Sequence, residues 1–191
     1  MTQESVLALF RSSGALLEGH FRLTSGLHSN GYLQCALVLQ HPAHAETLGK
    51  ALADLARASA PDVVLSPALG GLIIGHEVAR ALGVRAIFAE RQDGALTLRR
   101  GFSVSPGERV LVVEDVLTTG GSTRETIAVA SAAGGTVVAA GAIINRGTAV
   151  DLGGVPLHAL ASVSFPTWPE DQIPDWLAAI PVTKPGSRPG K

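Results

Sequence analysis

The feature that most restricts what this chain can fold into is a rhythm that begins after Pro61. Short apolar runs stand at 62–66 (DVVLS), 84–90 (VRAIFAE), 109–115 (RVLVVED) and 136–144 (TVVAAGAII). Between them lie helix-patterned stretches at 72–83 (LIIGHEVARALG) and 123–135 (TRETIAVASAAGG). Strands that alternate with helices of about a dozen residues build βαβ units and a parallel sheet. Such strands are covered on both faces, which explains their unbroken Val/Ile character. LHALASV at 157–163 adds a candidate last strand. The expected class is α/β, a central, mostly parallel sheet flanked by helices. Gly83 closes one helix where a C-terminal glycine belongs, and Pro42 opens another, running to about Arg57. Upstream, residues 3–12 have the spacing of a short amphipathic helix. From Phe21 to Leu39, Gly, Ser and His interleave with apolar residues and lead into YLQCALVL, which predicts strands and turns. The expected division of the single domain is a small β-containing hood over about 1–40, a core over about 41–165 and a tail over 166–191. The last stretch, VTKPGSRPGK, is expected to be loose.

Composition narrows the function classes. Of 191 residues, 15 are Lys or Arg and 16 are Asp or Glu, a formal net charge of -1. A protein that coats nucleic acid needs a cationic surplus, so no nucleic-acid partner is expected. Hydrophobic residues make up 46% of the chain, which excludes a disordered polymer. Cys35 is the single cysteine, so neither an internal disulfide nor a cysteine-based zinc site is possible, and the cytoplasm is the expected compartment. The opening MTQESVLALF lacks a basic stretch before its apolar residues and is not expected to be a secretory signal. Residues 127–144 carry no charge, but Gly134 and Gly135 divide them into helix, turn and strand, so no membrane span is expected.

In an open parallel sheet, ligands sit beyond the carboxyl ends of the strands. The strongest signal there is VLVVEDVLTTGGS, 110–122. A strand delivers two adjacent carboxylates, Glu114 and Asp115, then Thr118, Thr119, Gly120, Gly121 and Ser122, and then a helix. Ser122 and Glu125 have capping-box spacing, which places the helix start at Ser122. A helix N-terminus presents free N–H groups and a positive dipole end, and the glycines allow a close backbone approach. The result is a cradle for one phosphate group. No Lys follows the glycines, which excludes the triphosphate P-loop, and the acids precede the loop, unlike the dinucleotide fingerprint. Acids for hydroxyls and amides for phosphate suit a sugar phosphate.

These residues resemble the phosphoribosyl-diphosphate (PRPP) signature of the type I phosphoribosyltransferases. The wider chain, from about Phe21 to Arg146, resembles the orotate phosphoribosyltransferases. FRLTSGLHSNGYLQ (21–34) is similar to that family's N-terminal substrate segment. LRRGF (98–102) together with INRG (144–147) is similar to a branch found in Thermus-like bacteria. The resemblance implies a type I phosphoribosyltransferase fold. It also implies transfer of the phosphoribosyl group of PRPP to orotate, giving orotidine 5′-monophosphate and pyrophosphate, in pyrimidine biosynthesis. It implies Mg²⁺ carried with PRPP, with Glu114 and Asp115 as candidate ligands, and a homodimer. Glu114 and Asp115 would hold the ribose hydroxyls. Val116 and Leu117 would belong to the PRPP-binding stretch, and Thr118 to Ser122 would wrap the 5′-phosphate. Ala68, Leu69, Gly70 and Gly71 would form the pyrophosphate loop, with a cis peptide at Ala68–Leu69. Thr118, Arg146, Ser25 and Tyr32 would meet orotate. A planar guanidinium suits a planar carboxylate.

RQDGALTLRRGF (91–102) contains Asp93-Gly94, a hairpin signal, and resembles the mobile catalytic loop. Arg91 would bind PRPP, shared across subunits, with Arg99 or Arg100 adding positive charge. The chain departs from the family pattern where many members carry Lys: here Thr24 and Gly70 stand in those places. A purine-base phosphoribosyltransferase and a PRPP-sensing regulator are the rival readings. Arg146 and the 21–34 segment favour a carboxylate-bearing base over a purine, and the absence of a spare domain disfavours a regulator. His28 reads best as a solvent-facing turn histidine, with His20 and His76 carrying still less signal, and Trp168 and Trp176 read as packing anchors.

Overall fold

The computed structural model describes residues 1–23, 25–147 and 150–184. It opens with α1 (Gln3–Ser12), β1 (Leu16–Arg22), β2 (His28–Leu33), α2 (Cys35–Leu39) and α3 (Pro42–Ala56). Then come β3 (Val63–Pro67), α4 (Gly71–Leu82), β4 (Arg85–Gln92), β5 (Ala95–Leu98), β6 (Arg109–Leu117), α5 (Gly121–Ala132) and β7 (Thr136–Asn145). The chain ends with β8 (Leu157–Ser162), β9 (Thr167–Trp168), α6 (Asp175–Ala178) and β10 (Val182–Thr183).

The large sheet has six strands in the order β5-β4-β3-β6-β7-β8. All neighbours are parallel except β5, which returns antiparallel on β4. The alternation read from the sequence becomes two cores, one on each face. Val64, Leu111, Val113 and Ala139 face α3 and α4, in a cluster that also takes in Val6, Phe10, Cys35 and Val38. Val63, Leu65, Val110, Val112, Ala140 and Ala142 face the other way and share a cluster with Ala130 of α5. Strand residues alternate sides, so a strand buried on both faces must be apolar throughout. At Gly83 the backbone turns left-handed, with φ +76°, and stops α4 as expected. Asp93 and Gly94 both have positive φ, the two-residue turn that joins β4 to β5.

The hood sheet runs β10-β1-β2-β9. It draws strands from both ends of the chain: β10 lies parallel to β1, and β9 antiparallel to β2. The expectation of a loose stretch from Val182 fails for its first residues, which pair with His20 and Phe21; residues 185–191 lie outside the described residues. The expectation of strand through YLQCALVL also fails in part. Cys35–Leu39 is helical, with Cys35, Val38 and Leu39 buried at helical spacing. A short apolar run is ambiguous between strand and helix, and here packing on α3 decides for helix. His28 is a third correction. It is buried in β2, its Nδ1 2.6 Å from His20 Nε2, while His20 Nδ1 lies 3.0 Å from the Ile180 carbonyl oxygen. Among the described residues no helix is long and apolar enough to cross a membrane.

The crossing of α3 and α4 needs a glycine. A Cβ at Gly49 would lie 2.5 Å from Glu77 Cβ and 2.9 Å from its carbonyl carbon. Backbone cannot yield as a side-chain tip can, so Gly49→Ala should destabilise the fold by about 1–3 kcal/mol. That corresponds to a Tm lower by about 2–12 °C, measurable by calorimetry; an unchanged Tm would show that the helices cross with slack.

Candidate functional site

The carboxyl ends of β3, β6 and β7 meet at one edge of the large sheet. β6 carries Glu114 and Asp115 to this edge, and as neighbours on one strand their side chains leave on opposite sides. Each acid meets the start of a different helix. Glu114 Oε2 accepts a hydrogen bond from Ser122 Oγ at 2.8 Å, on the first turn of α5. Asp115 lies against Gly70, just before α4, and its Oδ1 accepts from the N–H of Val116 at 2.8 Å.

Glu114 is only 6% exposed. Burial, and then the nearby carboxylate of Asp115, push its pKa up to about 8. Near neutral pH the Glu114 carboxyl therefore favours its protonated, neutral form.

The turn 118–121 departs from its sequence reading in one respect. α5 begins at Gly121, with Gly120 as its N-cap and no side-chain cap. Gly120 has φ +74°, and a Cβ there would lie 2.5 Å from Val150 Cγ1, so the position demands glycine. Ser122 is thus inside the helix, and its hydroxyl serves Glu114 instead of capping. Glu125, the other half of the expected box, pairs with Arg91 at 3.0 Å. From below, Arg124 braces the turn by donating to the carbonyls of Thr119 (2.9 Å) and Asp151 (3.1 Å). The first N–H groups of α5 have no acceptor within the helix and point out of it.

The second loop, 67–71, has the expected cis peptide at Ala68–Leu69. Ala68 N–H donates to the Ala89 carbonyl at 2.7 Å. A Cβ at Gly70 would lie 2.6 Å from Asp115 Oδ1, and one at Gly71 would lie 2.8 Å from the Val113 carbonyl oxygen. The departure at Gly70 thereby has a physical reason: any side chain there would require the Asp115 carboxylate to turn away. The departure at Thr24 lies outside the described residues. Ser25 sits in the hood turn, exposed, its Oγ 3.4 Å from the N–H of Leu27.

Arg146 follows β7, and its backbone N–H donates to Leu117 O at 2.7 Å, which puts it beside the cradle. Burial lowers its pKa, while Tyr32 acts in the opposite sense. Tyr32 packs on Phe21, ring centroids 5.9 Å apart. Arg91, Glu114, Asp115, Thr118–Ser122, Ala68–Gly71 and Arg146 thus gather around one edge. Arg99 and Arg100 do not join them: both turn to Glu90, at 3.3 and 3.0 Å, and Arg100 lies over the ring of Phe88. Sequence reasoning missed Glu90 as their shared partner, Arg124 as the brace and the tie from Ser122 to Glu114. Each is a contact between residues far apart in sequence or out of helical register, for which no local pattern exists.

Known proteins resemble this chain over most of its length. Residues 36–152 match the family described as the phosphoribosyl transferase domain. The chain is 55% identical over 190 residues to the orotate phosphoribosyltransferase of Heliobacterium modesticaldum, covering 98% of this chain and 100% of that one. It is 56% identical over 191 residues to that of Erythrobacter litoralis, covering 98% and 99%. Among solved structures, the orotate phosphoribosyltransferase of Aeropyrum pernix superposes with a TM-score of 0.66 at 28% identity, over 83% of this chain and 93% of that one. The Mycobacterium tuberculosis orotate phosphoribosyltransferase gives a TM-score of 0.70 at 22% identity, over 84% and 96%, a likeness of fold.

The buried acid makes stability depend on pH in a definite direction. An unfolded chain loses this proton above the ordinary value of 4.5, and the native protein keeps it up to about 8. The contribution is therefore complete below 4.5 and is lost as pH rises towards 8. Glu114→Gln mimics the protonated form, so its Tm relative to the unmodified protein should climb steadily between pH 5 and 8. Melting curves across that range check this, and parallel curves would show that Glu114 is ionised in the native state.

Proposed function

Given that the chain belongs to the phosphoribosyltransferase family, among its orotate phosphoribosyltransferases, we propose how its residues divide that reaction. The phosphoribosyl group of PRPP passes to orotate, giving orotidine 5′-monophosphate and pyrophosphate, a step of pyrimidine biosynthesis. The bond from ribose C1 to the pyrophosphate oxygen breaks as the bond from C1 to orotate N1 forms. Little proton transfer is needed, so catalysis is positioning and charge neutralisation.

The observation that carries the assignment is the meeting of two helix starts at the acids of β6. The N–H groups from Thr118 to Ser122 take the 5′-phosphate, with Val116 and Leu117 shaping the floor. The loop Ala68–Gly71 takes the pyrophosphate. Glu114 and Asp115 accept from the ribose 2′- and 3′-hydroxyls. At the base end, Arg146 pairs with the orotate carboxylate, with Thr118, Ser25 and Tyr32 lining the site. Among the described residues no three His, Cys, Asp or Glu side chains form a metal cage. The donor set suits Mg²⁺ held by PRPP oxygens with the Asp115 carboxylate, and with Glu114 once it gives up its proton, because this ion is commonly bound by one or two carboxylates together with phosphates. When bound, it would offset the charge of the departing pyrophosphate.

Arg91 is the cation of the hairpin assigned to that pyrophosphate, with Arg99 or Arg100 joining when the hairpin leaves Glu90. We place the enzyme in the cytoplasm as a homodimer, with Arg91 serving the neighbouring subunit. Leu69, 82% exposed just before α4, and the exposed Ile73 on it support a second copy as their cover.

In a mixture of protein, PRPP and Mg²⁺, orotate should drive pyrophosphate release and hypoxanthine should not; the reverse preference would overturn the assignment of the base. Arg91→Ala should lower turnover about 10²–10³-fold, and unaltered turnover would remove Arg91 from the site. Mixing inactive Arg91→Ala with inactive Asp115→Ala subunits should restore part of the activity if the arginine crosses to the partner. No recovery in a confirmed mixed dimer would keep it within its own subunit.

A further inference from the structure

The guanidinium of Arg146 is held in place by something other than a charge partner. It lies 5.3 Å from the centroid of the Phe165 ring. Its Nε is buried without a hydrogen-bond partner among the described residues. The Phe165 ring in turn rests on Gly31 of β2. A Cβ at Gly31 would lie 2.4 Å from Phe165 Cδ1, 2.5 Å from Cε1 and 2.9 Å from Cγ, so the ring lies where any other side chain would begin. The backbone around Phe165 is tied to the same strand. Ser29 Oγ donates to the Pro166 carbonyl at 3.0 Å, and Ser29 pairs with Thr167 in the β2–β9 register. On its other side the segment joins β7, with Val163 N–H donating to Asn145 O at 2.9 Å.

We infer that Phe165, seated on Gly31, is a positioning residue that holds the Arg146 guanidinium for the carboxylate of the base and so sets the preference for a carboxylate-bearing pyrimidine. This rests on the assignment of Arg146 to that carboxylate. An aromatic face attracts a cation but accepts no in-plane hydrogen bond. The ring therefore holds the guanidinium without occupying its fork of donors. A planar carboxylate meets that fork with two parallel bonds only if the fork is already oriented. Gly31 adds the geometric condition: it lets the ring sit close to the strand, and the hood strand thereby sets the height of the arginine.

The test compares equilibrium binding of two nucleotides that differ only in the carboxylate, the product orotidine 5′-monophosphate and uridine 5′-monophosphate, to the full chain. Phe165→Leu should weaken the first about three- to tenfold, in the range of a cation–ring contact, and leave the second unchanged. The KM for orotate should rise with it while the KM for PRPP stays constant. Phe165→Tyr, which keeps the ring, should restore both values. Gly31→Ala displaces the ring without removing it and should give the same selective loss, so the inference stays testable if Phe165→Leu folds poorly. In an Arg146→Ala background, Phe165→Leu should add nothing. Equal weakening of both nucleotides, or no change in either, would overturn the role of Phe165 while leaving Arg146 in its assignment. A carboxylate preference that survives Arg146→Ala would overturn the assignment of Arg146 and this inference with it.

Discussion

Two helices, α4 and α5, begin against the same pair of side chains on β6, and the rest of the site depends on that meeting. Glu114 is bonded to the first turn of α5 through Ser122, and Asp115 fills the space left by the missing side chain of Gly70. Helix starts are positive and carry free N–H groups, which suits two phosphate groups bound to one sugar. Acids at the same place would repel those phosphates. Burial tempers the conflict, because it raises the pKa of Glu114 to about 8 and so favours its neutral form.

Glycines decide how close the parts can come. At Gly70, Gly71, Gly120 and Gly31, an added Cβ would fall within 3 Å of another atom. Gly70 brings backbone against Asp115, Gly71 brings it against the Val113 carbonyl of β6, Gly120 seats the turn on Val150, and Gly31 brings an aromatic ring against a strand. The arginines follow a different logic. Arg91, Arg99 and Arg100 are held by Glu125 and Glu90 on the surface, where such pairs are weak and readily exchanged. Arg146 is partly buried and rests on a ring, so it keeps its place before any ligand arrives. The cations near this edge thus fall into two kinds, paired with exchangeable carboxylates on the hairpin and ring-seated at Arg146.

Much of this was legible in the sequence because it is local. The strand–helix alternation after Pro61 is a pattern of period and length, and it carried through to six strands with two cores. The acids and the turn after them are contiguous, so Glu114 to Ser122 could be read as one unit. What escaped was decided at a distance. The helicity of Cys35–Leu39 comes from packing on α3. The burial of His28 comes from His20 and from the Ile180 carbonyl, well over a hundred residues away in sequence. Ser122 has the spacing of a cap, yet it serves an acid on another element, because Gly120 already turns the chain without help.

The hood sheet takes β1 and β2 from one end of the chain and β9 and β10 from the other. During synthesis on the ribosome, the large sheet and its phosphate turn are complete in sequence before Trp168 or Val182 has been added. A nascent chain can therefore complete the large sheet first, while its early strands wait, unpaired along both outer edges, for the final residues. A stop codon just before Thr167 would leave the six-stranded sheet whole and the hood without either of its outer strands.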